Sequence, residues 1–186
     1  MPRPRRTAGS ASGLTLLEML IVVALLAISC FLAVPGFITL LENQRADALR
    51  MQLMSVLASA RNTAITRRRY VEVCPSSDGV TCGAQWAHGW LLYVVESSKT
   101  PRRQPSVPIL LVEQRPRSAL QVHHDNSRPA FRFRPDGRSA GLNQTLSICV
   151  GDRTTSKIVV SIPGRLRGHR VRTRWPLPCG MKEPKE

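Results

Sequence analysis

Residues 19–41 run almost without interruption through apolar side chains, and that length constrains the chain more than any other feature. About 20 apolar residues in a helix cross the hydrocarbon core of a bilayer. Arg3, Arg5 and Arg6 precede the run and no acid accompanies them, which keeps the amino end on the cytoplasmic side. One carboxylate, Glu18, stands at the start of the run, where hydrocarbon tolerates an ionisable group only if it is paired. A secretory signal would place its small-residue cleavage site after the apolar run, and Ala33, Pro35 and Gly36 make a poor one. The candidate cut therefore lies ahead of the run.

Gly13-Leu14-Thr15-Leu16-Leu17-Glu18 followed by an apolar helix resembles the prepilin signal of type IV pilins and type II secretion pseudopilins. The resemblance implies that prepilin peptidase cuts after Gly13 on the cytoplasmic side and that Leu14, where the family usually carries Phe, becomes the N-methylated end. It implies also that Glu18 pairs with the α-amino group of a neighbouring subunit, so other pilins in the filament are its partners. Pro35 matches a proline common in these helices, where it removes a backbone donor and loosens the preceding turn.

The 27 Lys and Arg against 12 Asp and Glu give a formal charge of +15; the leader holds three arginines and no acid, so its removal leaves +12. All but Lys99, Lys157, Lys182 and Lys185 of these cations are arginines, whose planar guanidinium suits phosphates and stacked bases. A GC-rich genome enriches arginine as well. Cys30 lies in the apolar run, leaving Cys74, Cys82, Cys149 and Cys179, an even set that reads as two disulfides in an oxidising compartment. Three connectivities are open; a Cys74–Cys82 bridge closing a short loop and a Cys149–Cys179 bridge tying the tail to a strand are favoured. Zinc is the alternative, against which stand the absence of Cys-x2-Cys spacing and the scatter of His88, His123, His124 and His169.

Beyond the membrane run, Leu49, Leu53, Leu57, Ala60 and Ala64 recur at helical spacing, which predicts one helix from Leu14 to about Thr66, roughly 80 Å long, whose second half packs on a soluble domain. After Arg67-Arg68-Arg69 the pattern turns to strands, expected at 70–74, 90–95, 109–113, 120–123, 130–134, 146–150, 157–162 and 169–174, with a Pro-rich basic loop over 97–107. The fold class expected is α+β, a membrane-spanning helix packed on a mainly antiparallel sheet or sandwich. Its parts are a leader (1–13), a transmembrane and filament-core helix (14–41), the amphipathic second half (42–68), a periplasmic β-rich domain (69–179) and a loose tail (180–186).

Ala60-Arg61-Asn62-Thr63-Ala64-Ile65, a Cys-bounded loop ending near Gly89-Trp90, Phe133-Arg134-Pro135-Asp136-Gly137-Arg138, Leu146-Ser147-Ile148-Cys149, and the run from Ile158 through Gly164-Arg165-Leu166-Arg167 together are similar to the FimT/GspH family of minor pilins. GspH-like members sit near the tip of the type II secretion filament. Some FimT-like members bind DNA for uptake through a C-terminal Gly-Arg-x-Arg motif, which residues 164–167 match. The resemblance implies phosphate contacts from Arg165 and Arg167, with Gly164 at a turn permitting close backbone approach. Independently of it, residues 153–182 hold no acid but many cations, Lys157, Arg170, Arg172 and Arg174 among them. The last three would share one face of an extended chain at steps of about 6.6 Å, close to twice the ~3.4 Å rise per nucleotide.

Two functions are thus in play. One is a minor pilin, anchored in the inner membrane and assembled into a pilus, that binds double-stranded DNA without sequence preference during natural transformation. The other is a structural pseudopilin or assembly subunit without DNA binding, for which alternating arginines merely guard an edge strand. No Gly-rich phosphate loop, carboxylate pair or Ser/His/Asp signature points to an enzyme, and no cofactor or metal is expected. Replacing Gly13 with leucine is expected to trap the unprocessed chain in the inner membrane, seen as an intact leader by N-terminal sequencing; a correctly trimmed variant would remove the prepilin reading.

Overall fold

The computed structural model describes residues 15–95, 109–114, 120–125, 130–171 and 177–180. The expectations placed on Gly13, Leu14, the 97–107 loop, Arg172, Arg174 and residues 181–186 lie outside these. The chain divides into two compact units, Met1–Leu41 and Glu42–Glu186.

Helix α1 spans Leu16–Arg67. Thr15 caps its start, accepting the Glu18 backbone N–H on its hydroxyl at 3.3 Å, so Thr15-Leu16-Leu17-Glu18 has the spacing of a capping box and its acid sits in the first turn. Within the first unit the helix is exposed throughout, with Leu16 79% and Phe31 82% accessible. An 18-residue window of α1 reaches a mean hydropathy of 2.7, and the helix is long and apolar enough to cross a membrane. The helix continues through Pro35, where Thr39 donates its hydroxyl to the Pro35 carbonyl at 3.1 Å.

In the second unit α1 buries Ala46, Leu49, Leu53, Val56, Leu57, Ala60 and Ala64, the stripe its periodicity predicts. The eight strands are β1 (Tyr70–Pro75), β2 (Gly89–Val95), β3 (Ile109–Gln114), β4 (Leu120–His124), β5 (Phe131–Phe133), β6 (Gln144–Val150), β7 (Arg153–Val160) and β8 (Leu166–Arg170). They form two four-stranded sheets, ordered β3-β2-β1-β5 and β4-β6-β7-β8, and their pairings are antiparallel. Val71, Val73, Leu92, Phe131 and Phe133 of the first sheet and Leu146, Ile148, Ile158 and Val160 of the second share one core with the helix stripe. Cys74, Leu91, Tyr93 and Val95 form a second cluster, which is why every residue of β2 is buried.

The sulfurs pair as Cys74–Cys82 and Cys149–Cys179. Two strands begin three or more residues earlier than the sequence suggests. β7 starts at Arg153 instead of 157, because its polar first half is held by β6 on one side and by the chain end on the other, with the Thr154 N–H donating to the Leu177 carbonyl at 2.8 Å. β8 starts at Leu166 instead of 169, because the turn at 161–165 closes directly into a hairpin.

α1 stops in a Schellman arrangement: the Arg69 N–H donates to the Ala64 carbonyl at 3.2 Å and the Arg68 N–H to the Ile65 carbonyl at 3.3 Å. Arg68 therefore carries φ +51°, a left-handed conformation that glycine adopts without a Cβ penalty. Arg68→Gly should stabilise the 42–186 unit by about 1 kcal/mol in urea denaturation; an unchanged or lower midpoint would show that the cap carries no strain.

Candidate functional site

Three segments meet at Gly137. On α1, Arg61 donates its Nε–H to the Gly137 carbonyl at 3.0 Å. In the loop after β5, Ser139 donates its N–H to the Ile162 carbonyl at 2.9 Å. In the hairpin between β7 and β8, Gly164 donates its N–H to Ser161 at 2.8 Å while the Ser161 N–H returns to Arg165 at 3.0 Å. Gly164 has φ +77°, and a Cβ there would collide with the Gly137 carbonyl oxygen. Glycine is thus required twice, for the turn's left-handed backbone and for the contact. Between helix and turn lies a groove of about 350 Å³ lined by Ala58, Arg61, Asn62, Pro163, Gly164, Arg165 and Leu166.

The candidate basic residues meet different fates. Arg165 and Arg167 are exposed, and among the described residues neither has an ion pair. Their settings differ: Arg165 lines the groove, whereas Arg167 stands on the face of β8 opposite Leu166 and Gly168. Those two face the helix, since Leu166 packs on the main core and a Cβ on Gly168 would strike the Met54 sulfur. Because β8 is an edge strand, both arginines remain accessible from that edge.

For three of the expected residues the fold adds a constraint. Lys157 is only 5% exposed, in the stretch of β7 that pairs with both β6 and β8, so it presents little surface to a phosphate. Arg170 takes the helix side of β8, by alternation with Leu166 and Gly168; its Nη2 bonds Asp47 of α1, and Arg50 approaches the same carboxylate at 3.4 Å. That places it on the face opposite Arg167, with its charge already answered. Gly164 is itself buried, and the close approach its missing Cβ permits within the fold is to the Gly137 carbonyl.

Reading the sequence for exposed cations alone passes over Arg61 and Asn62. The signal was available: Arg61 borders the core stripe next to Ala60, where a long cation must find a partner. Arg67, Arg68 and Arg69 are exposed at the helix end. Among the described residues no three His, Cys, Asp or Glu side chains lie close enough to hold a metal. Asp78 accepts bonds from the Ser76 and Thr81 hydroxyls and from the Val80 and Thr81 N–H groups, led by Thr81, and these push its pKa far below the usual carboxylate range. It organises the loop closed by Cys74–Cys82.

The family model described as type II transport protein GspH matches residues 50–164, well over half of the chain. Among solved structures, the type IV minor pilin FimU of Pseudomonas aeruginosa, strain PAO1, superposes in two crystal forms. One has a TM-score of 0.55 at 17% identity, covering 72% of this chain and 98% of FimU; the other has 0.52 at 17%, covering 69% and 99%. The minor pseudopilin EpsH of the Vibrio cholerae type 2 secretion system gives 0.46 at 16%, covering 67% and 96%. No curated protein sequence matches the chain.

The hydrogen bond from Arg170, ahead of the coulombic pull of Arg170 and Arg50, lowers the pKa of Asp47 below its ordinary 3.8. A carboxylate depressed in the folded state contributes stability that is present above its unfolded pKa and lost as pH falls through the folded value. Stability of the 42–186 unit should accordingly decline as pH drops below about 4, and Asp47→Asn should flatten that decline in urea titrations at successive pH values. An unaltered pH profile would show that the Asp47–Arg170 pair adds nothing to stability.

Proposed function

The chain belongs to the GspH family of pilin-like proteins, and on that premise we propose that it is a minor type IV pilin that binds double-stranded DNA through the β7–β8 turn and the β8 edge. Family and fold make it a minor pilin or pseudopilin, associating with other pilins in a filament. The observation that carries the finer reading is the pair Arg165 and Arg167, exposed and without an ion pair among the described residues, in a stretch (153–182) that contains no acid at all. Nothing there is built to read base edges, so binding is to the phosphate backbone, independent of sequence and sensitive to salt. Processing after Gly13, methylation of Leu14 and pairing of Glu18 with a neighbour's amino terminus complete the proposal; the Thr15 hydroxyl, accepting the Glu18 N–H, supports it by capping the turn that carries Glu18. The rival, a structural pseudopilin of a secretion filament, draws on the family model itself, whose description is a type II transport protein.

The deciding measurement is fluorescence anisotropy of a labelled duplex with the full chain in neutral detergent. Three to five phosphate contacts give a log–log salt slope between about −2.7 and −4.5. Arg165→Gln with Arg167→Gln should weaken binding about tenfold or more and flatten the slope by about two, with the thermal transition unmoved. Equal binding by the double variant at the same ionic strength would leave the structural pseudopilin as the function.

A further inference from the structure

The groove between α1 and the β7–β8 turn is not explained by the hairpin arginines alone. Two arginines line it from opposite elements, Arg61 from the helix and Arg165 from the turn, and Asn62 lines it next to Arg61. No carboxylate lines it. Arg61 is fixed in place by its Nε–H on the Gly137 carbonyl, and its remaining N–H groups have no partner among the described residues. A guanidinium held by one donor while the others stay open is preorganised for an anionic oxygen. The partial negative charge of a helix C-terminus opposes an anion there, but α1 ends in Arg67 and is followed by Arg68 and Arg69, which offset it.

We infer that this groove takes one phosphodiester of bound DNA, with Arg61 and Asn62 as contact residues on the helix side and Arg165 opposite them. The inference rests on the DNA-binding reading and extends its surface from the edge of the second sheet onto α1. A volume of about 350 Å³ is at the small end of ligand sites, enough for a sugar–phosphate unit of a strand passing over it. It also gives Gly164 and Gly137 a functional consequence: their contact sets the distance between the two arginines.

Arg61 itself braces Gly137, so the test is placed on Asn62, whose side chain is exposed and without a partner among the described residues. In the full chain in neutral detergent, Asn62→Asp should weaken binding of a labelled 30-base-pair duplex about tenfold and reduce the salt slope by about one, as expected for one lost phosphate contact. Asn62→Lys should tighten binding severalfold. Both should melt with the wild type. Gln44→Asp makes the same charge change on the same azimuth of α1, about 27 Å away along the helix, and should alter binding less than twofold. If Asn62→Asp costs no more than Gln44→Asp while Arg165→Gln with Arg167→Gln still abolishes binding, the groove is overturned and the hairpin reading stands. If the wild type binds no DNA, both are overturned.

Discussion

Both sheets of the second unit close against a single seam, the stripe of α1 from Ala46 to Ala64. Leu53, Leu57, Ala60 and Ala64 are wholly buried there, and residues of six strands share their cluster. Small residues, Ala60 and Ala64, end the stripe, and the leucines at 49, 53 and 57 supply most of its buried volume. Truncating a leucine in such a setting costs about 2–5 kcal/mol, a large share of a domain's net stability. Every other feature of the unit is positioned from this seam: Arg61 reaches Gly137 because its neighbour Ala60 is pinned, and Asp47 reaches Arg170 because its neighbour Ala46 is.

Net charge is a poor guide to which cations are available. Arg132 donates to the buried carboxylate of Glu72 at 2.5 Å, beside the Tyr93 hydroxyl at 2.6 Å. Arg170 is held by Asp47, Arg134 faces Asp136 at 3.6 Å, and Lys157 lies beneath the surface. Arg165 and Arg167 are among the exposed arginines whose charges the fold leaves unanswered among the described residues, and they stand in a stretch that contains no acid. An edge strand flanked by such charges resists pairing with another strand, so the feature proposed for DNA also suits a soluble sheet edge, and a change of salt slope separates the two roles where a change of stability does not.

Much of this architecture was legible because it rests on periodicity and composition. The apolar run, the helix stripe and the antiparallel sheets follow from local pattern, whereas the cysteines left three connectivities open, of which the favoured one is formed. What was not legible depends on contacts distant in sequence. The early start of β7 needs Leu177 and Pro178 to satisfy its polar first half, and Lys157 reads as a surface cation although the folded unit buries it. The opposite facing of Arg167 and Arg170 follows from register, which a three-residue error at the start of β8 obscures: counting alternation among Arg170, Arg172 and Arg174 hides the fact that Arg170 is out of phase with Arg167. Arg61 was hidden for a similar reason, since its partner Gly137 lies in a loop 76 residues away.

Gly164 shows how far a motif's residues can differ in what they do. In Gly164-Arg165-Leu166-Arg167 the glycine serves the hairpin and its seat on Gly137, Leu166 packs on the core, and only the two arginines remain at the surface. A motif of this kind therefore persists in part for folding, and loss of binding on changing Gly164 would be uninformative, because the turn, the seat and the arginine separation fail together. The same holds for Arg61, which braces the loop it is proposed to serve from. Substitutions that decide function must sit where the fold makes no demand, and around this groove that condition is met by Asn62 and by the charged ends of Arg165 and Arg167.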